Sequence, residues 1–313
     1  MISIASTATF LAVAASLAAI YSAAQVRSLL TAWNVRQAWN WMLAALFSLL
    51  MHSVVSIPQL NCSDAVISAA AYFAATMLLT PLVTILGARR PGISAWHWFV
   101  VLPMVLVLQW PAISQLLGNH WRAPIELSGP SMMGIVVVLI MSAGTLMGTS
   151  STVFALLYSS GIAILLISVT SFTWARTFVT PTAAVLILIS IRVFCRNLRH
   201  QLHCILTSDT TTQRIQAVWH LFSSQHGFAW MRRVQDRINQ FAPREKWSVH
   251  LTSSGFELTD GTIRSSLNDD EVKQPRDAFI WVLARFADES WLRQILQNPQ
   301  KPEIPCDPSK STN

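Results

Sequence analysis

The chain has 313 residues, of which 52% are hydrophobic and only 12% charged, and its formal charge is +7. Soluble domains carry about 25% charged residues, so this composition excludes an ordinary water-soluble globular protein and points to one built largely for a bilayer. The basic excess does not imply nucleic acid: residues 1–195 hold seven basic and two acidic side chains, residues 196–313 fifteen and thirteen, and most of the excess flanks apolar runs, where it orients a membrane protein.

A helix of about 20 apolar residues crosses the hydrocarbon core. Seven segments qualify, approximately 4–24, 40–58, 65–87, 96–117, 131–148, 152–170 and 176–194. The first lacks a basic leader and exceeds a usual signal-peptide core, so a retained helix is expected. The first connection carries Arg27 and Arg36, and "GARRPG" (87–92) reads as a turn anchored by two arginines and broken by Pro-Gly. Residues 127–175 hold no formal charge in 49 positions, enough for two spans joined at "GTSST" (148–152). Positive side chains in the first and third connections and in the tail place these on the cytoplasmic side, with the N-terminus outside. Trp33, Trp39, Trp41, Trp96 and Trp98 fall near the inner boundary, and Trp110, Trp121 and Trp174 near the outer one, the spacing of an aromatic belt.

The spans contain no Asp, Glu or Lys, which argues against ion-coupled transport and against a retinal Schiff base. His52, the one titratable side chain well inside a span, is expected to be a hydrogen-bonded packing residue. Pro81, Pro103, Pro111 and Pro181 are expected to kink their helices. Gly144 and Gly148 form a GxxxG pattern that suits close packing within the bundle first and a homodimer second. On the outer face, Asp64, His120, Arg122, Glu126 and Arg176 are the set that could converge as a catalytic or binding cluster. The simpler expectation is a helix cap at Ser63 or Asp64 and a solvated Arg122–Glu126 pair. The block "LGARRPGISAWHWFVVLPMVLVLQWPA" (86–112) resembles a segment of uncharacterised bacterial multi-span membrane proteins. The resemblance implies a bacterial inner membrane and carries no activity, ligand or site residue.

"CRNLRHQLHC" (195–204) raises the question of a metal site. At 100° per residue His200, His203 and Cys204 share an arc, but Cys195 points away from His203 and Cys204, so one helix cannot close a four-ligand zinc shell. Arg192, Arg196 and Arg199 follow one another at spacings of four and three, the stripe of a lipid-facing juxtamembrane helix. Beyond it the grammar becomes that of a soluble domain. Ile215, Val218, Trp219 and Phe222 share a helical face, as do Trp230, Val234, Ile238 and Phe241. "WSVHL" and "FELT" alternate as a hairpin or three-stranded meander, "NDDE" (268–271) reads as an exposed loop, and Asp288 is a candidate N-cap.

The expected fold is an all-α transmembrane bundle followed by a small cytoplasmic α+β domain. The divisions are a polytopic domain 1–196, a basic juxtamembrane helix 197–210, the α+β domain 211–298 and a Pro-rich disordered tail 299–313. The α+β domain holds no Gly-rich phosphate loop, CxxC, HExxH or GxSxG, and the four cysteines are scattered. No catalytic, cofactor-binding or metal residue and no cofactor is expected. The sequence favours a non-catalytic membrane component that presents a cytoplasmic adaptor domain to a protein partner. A transporter or lipid translocator is the second reading and an outer-face or intramembrane enzyme the third.

Overall fold

Helix follows apolar content along the first two thirds of the chain. The computed structural model describes residues 4–86, 97–117, 125, 127, 129–169, 176–258 and 269–297. Its helices are α1 (Ile4–Arg27), α2 (Arg36–Val55), α3 (Asp64–Met77), α4 (Thr80–Leu86), α5 (Leu102–Leu108), α6 (Trp110–Leu117), α7 (Gly129–Gly144), α8 (Thr152–Ile167), α9 (Arg176–Thr207), α10 (Thr211–Asn239), α11 (Asp269–Leu283) and α12 (Glu289–Gln297). Four stretches, Ala5–Arg27, Arg36–Val55, Asp64–Ile85 and Phe178–Thr207, are long and apolar enough to cross a membrane. The apolar helices Trp98–Leu108, Gly129–Gly144 and Thr152–Ile167 are shorter. At about 1.5 Å per residue, α7 and α8 each reach about 24 Å against a hydrocarbon core of about 30 Å. Among the described residues, every exposed large apolar side chain except Phe228 and Trp281 lies between Phe10 and Ile189. An apolar surface this extensive is compatible with an integral membrane protein.

Two of the expected spans are interrupted, and proline chemistry explains where. Pro81 has no N–H to give Met77 O, and the Thr80 hydroxyl donates to that carbonyl instead at 2.7 Å. Tyr158 on α8 donates to the neighbouring Leu78 O at 3.0 Å. The fourth expected span is not one helix. It is a π-helical turn, His97–Val101, followed by α5, which holds Pro103 in its first turn, and α6, which holds Pro111. The break falls at buried Gln109, whose amide donates to the Thr76 hydroxyl, while Tyr72 donates to Leu108 O. Tyr72 of α3 thus satisfies the Leu108 carbonyl at the break, and Thr76 satisfies the Gln109 side chain. His52 is buried with Nε2 3.1 Å from Thr180 Oγ1, as expected of a packing histidine.

Gly144 and Gly148 do not form a helical GxxxG face. Gly144 is the last residue of α7, and Gly148 lies beyond it with φ +76°, so the two are not one turn apart on a helix. Trp33 and Trp39 are also not belt residues, being 2% and 5% exposed inside the protein.

Helix α9 runs without a break from Arg176 to Thr207. After it, Thr210 caps α10 through a capping box with Gln213. The expected apolar faces of α10 are buried: Ile215, Val218, Trp219, Phe222, Trp230, Val234 and Ile238 are all below 9% exposure, while Phe241 is partly buried against them. Among the described residues the sheet has two strands, β1 (Val249–Leu251) and β2 (Phe256–Leu258), antiparallel with Val249 opposite Leu258. Asn239 holds β1 to α10 by pairing with both the N–H and the carbonyl of Leu251, at 2.7 and 2.8 Å. "NDDE" is not a loop throughout, since α11 begins at Asp269. Asp288 does cap α12, accepting from the N–H groups of Ser290 and Trp291 at 2.8 and 3.2 Å. One contiguous core includes side chains from Ala12 to Leu296, so the C-terminal unit and the bundle share a hydrophobic interior.

Candidate functional site

Two connections of the bundle grip the C-terminal unit. The first, between α1 and α2, pairs with the α11–α12 turn: Asn34 N donates to Phe286 O at 2.9 Å, Asp288 N to Ala32 O at 2.8 Å, and the Asn34 side chain to Arg285 O at 2.8 Å. This brings Trp33 into an aromatic nest, with ring centroids 6.5 Å from Phe222, 5.9 Å from His226 and 5.5 Å from Trp291. The second is the α7–α8 turn. There Phe228 N donates to Thr145 O at 2.8 Å and the Ser151 hydroxyl to Ser224 O at 2.7 Å. Gln201 of α9 completes the joint, donating to Ser150 Oγ at 2.9 Å and accepting from Ser224 Oγ at 2.8 Å.

The partner surface for both is "SSQHG", residues 223–227. Ser223, Ser224, Gln225 and His226 are all buried, an unusual depth for four consecutive polar side chains. At Gly227 (φ 80°, ψ 175°) the helix breaks into 211–226 and 228–239. That backbone conformation is open essentially to glycine alone, and a Cβ there would stand 2.2 Å from Thr145 O. The glycine therefore allows the α10 backbone to touch the α7–α8 turn. His226 stacks on Phe222 at 4.7 Å and meets Phe286 at 5.2 Å. Its burial among these rings pushes the imidazole down to about 4. Both amide atoms of Gln225 are buried without a described hydrogen-bond partner, beside a small cavity of about 20 Å³ walled by Trp39, Met42, Leu82 and Phe154.

A larger cavity of about 560 Å³ lies where α9, α10 and the α7–α8 turn meet. Asn197, His200, Gln201, Cys204, Gln216 and His220 contribute to its walls, and none of the described lining residues is Asp, Glu, Lys or Arg. Partial burial lowers the His220 imidazole below its ordinary range. Cys204 Sγ lies 3.8 Å from His200 Nδ1. The walls offer amides, hydroxyls and imidazoles, which exchange hydrogen bonds with a polar group and supply no fixed charge. Among the described residues no group of three or more His, Cys, Asp or Glu side chains is placed to hold a metal ion.

Arg192, Arg196 and Arg199 are exposed along α9. Arg199 donates to Gln25 Oε1 of α1 at 3.0 Å, and Cys195 Sγ contacts Ser22 O at 3.7 Å. Of the outer-face set, Asp64 begins α3 and Ser63 caps it, accepting from Val66 N at 3.4 Å. His120, Arg122 and Glu126 lie outside the described residues. Arg176 begins α9, and its side chain also lies outside them. The structure therefore shows the basic stripe of α9 exposed beside α1 and, apart from it, a junction at 223–227 that sequence reasoning missed. The signal available was a glycine closing a short polar run between two amphipathic stretches; its contact with Thr145 is non-local and leaves no trace in the local pattern.

Comparison with protein-family models, with curated proteins and with solved structures found no match.

Proposed function

We propose that the chain is a seven-crossing protein of a bacterial inner membrane, with its N-terminus outside, acting as a non-catalytic component that holds a C-terminal adaptor unit against the cytoplasmic face. One observation carries this reading: residues 28–35 and the α7–α8 turn both contact the same C-terminal unit. Two connections on one side of a bilayer are separated by an even number of crossings. Counting helices α2, α3/α4, α5/α6 and α7 as four crossings meets this requirement, which supports taking the short helices as spans beside the four long ones. The basic connections and tail then face the cytoplasm. The adaptor role draws on exposed Trp281, which carries Arg285 over its ring at 5.2 Å and presents an aromatic anchor on α11.

Reporter fusions after residues 92 and 205 should both report the cytoplasm, and opposite reports would remove a crossing and the reading with it. A stoichiometric protein captured by the tagged full chain and lost in Trp281→Ala would support the adaptor role. Capture of the same protein at the same level by both would refute this surface as the adaptor face. The second reading, a transporter or lipid translocator, is favoured by the interrupted pairs α3/α4 and α5/α6, because discontinuous helices commonly build substrate sites. It ranks lower because Tyr72, Thr76, Thr80 and Tyr158 already occupy the polar groups at those breaks.

A further inference from the structure

The seam between α1 and α9 combines charge and geometry in a way that no other described surface does. The two helices pack along their length and run the same way, with Cys195 against Ser22 and Arg199 against Gln25. Both helices lack any Asp or Glu. On this seam Arg192, Arg196 and Arg199 form an exposed stripe on α9, and exposed Arg27 ends α1 two residues past Gln25. None of these four arginines has a described carboxylate partner, whereas Arg232 and Arg293 on the C-terminal unit do, pairing with Asp236 at 3.3 Å and Glu289 at 2.7 Å. Just before the stripe, α9 presents the 43%-exposed Ile189, a lipid-facing side chain, and α1 likewise presents Tyr21, 63% exposed. The four guanidinium groups thus begin where the apolar surface ends.

We infer that this seam is a binding site for the headgroup of an anionic phospholipid of the cytoplasmic leaflet, such as phosphatidylglycerol. The inference rests on the membrane reading above and adds the partner's chemistry. A guanidinium offers a fork of N–H donors that matches phosphate oxygens. Gln25 helps to set the fork of Arg199 by accepting from one of its nitrogens. The acyl chains of a lipid bound there run along the exposed apolar faces of α1 and α9, toward Tyr21 and Ile189. A zwitterionic headgroup brings its own cation into a site that already holds four, which disfavours phosphatidylcholine.

The test uses the full chain purified in detergent and a fluorescent phosphatidylglycerol, with fluorescent phosphatidylcholine in parallel. An arginine near an anionic headgroup contributes roughly fivefold in affinity, so Arg192→Gln/Arg196→Gln/Arg199→Gln should weaken phosphatidylglycerol binding by about a hundredfold and leave phosphatidylcholine unchanged. Arg232→Gln/Arg233→Gln, on the C-terminal unit, should bind both lipids as the wild type does. Equal phosphatidylglycerol binding by the wild type and the triple variant would overturn the site. Displacement of the lipid by millimolar inorganic phosphate would overturn its assignment to a lipid. Extraction of the full chain from phosphatidylcholine vesicles by alkaline carbonate is a separate result, which would refute membrane insertion itself.

Discussion

Replacing Gly227 with alanine tests the junction at its tightest point. The added Cβ would stand 2.2 Å from Thr145 O and 2.9 Å from the Thr145 carbonyl carbon. Both are backbone atoms, so no side-chain rotation can relieve the contact. The conformation at φ 80°, ψ 175° costs a non-glycine residue about 1–3 kcal/mol even without a neighbour. Moving the backbone away to make room breaks the 2.8 Å bond from Phe228 N to Thr145 O, worth about 1 kcal/mol more. The sum is about 2–4 kcal/mol. For a chain of this size that corresponds to roughly 3–6 °C in the melting temperature. The assay is thermal unfolding of the full chain in detergent, followed by tryptophan fluorescence. Gly144→Ala is the matched control, because nothing lies within 4 Å of its Cβ position, and it should melt within about 1 °C of the wild type. Equal melting temperatures for Gly227→Ala and Gly144→Ala would refute the claim that α10 is pressed against the α7–α8 turn.

Further outcomes follow from the same region. Trp33→Ala empties a site 2% exposed among Phe222, His226 and Trp291, and should cost about 3–5 kcal/mol and speed proteolysis of the α11–α12 turn; unchanged cleavage kinetics would contradict the clamp. Gln225→Leu removes two buried amide atoms without described partners and should raise stability by about 1–3 kcal/mol, with a lower melting temperature counting against it. His226 titrates near 6.5 when unfolded and near 4 when folded, so between those values only the unfolded chain takes up the proton. Stability should therefore fall by up to about 3 kcal/mol as pH drops from 7 to 4, levelling below that. His220 is shifted the same way and adds to the slope, and His226→Leu should flatten most of it in melts across that range. Elemental analysis of the purified chain should give well under one zinc per molecule, and stoichiometric zinc lost in His200→Ala/Cys204→Ala would reverse the reading of residues 195–204.

The parts of this fold legible in the sequence are those set by local period. All seven apolar segments contain helix, the stripes Ile215–Phe222 and Trp230–Ile238 face the interior, and Asp288 caps the helix it precedes. Errors arose where a distant partner decides the outcome. The segment 96–117 is apolar enough for one span, yet it breaks at Gln109 because Tyr72 and Thr76 on α3 supply the hydrogen bonds that make a break tolerable. Trp33 and Trp39 have the spacing of belt residues but fold inward, where Trp39 finds Ala23 O at 2.6 Å and Trp33 finds the rings of the C-terminal unit. Gly144 and Gly148 match a packing motif by spacing alone, and the helix ends before the second of them. The arginine stripe was readable because it needs only helical periodicity. Its facing residues on α1 were not, since nothing local pairs position 25 with position 199.

Helix α9 is one uninterrupted rod of 32 residues, roughly 48 Å long at about 1.5 Å per residue. Its C-terminal third is tied to α10 through the hydrogen bond between Ser224 and Gln201. Such a rod acts as a lever. A tilt of about 5° around its midpoint swings Thr207 by about 2 Å and Gln201 by about 1.2 Å, and the Gln201–Ser224 hydrogen bond carries that movement into α10. On the proposed membrane reading, bilayer thickness and the posture of the C-terminal unit would thereby be geared together by a single piece of secondary structure.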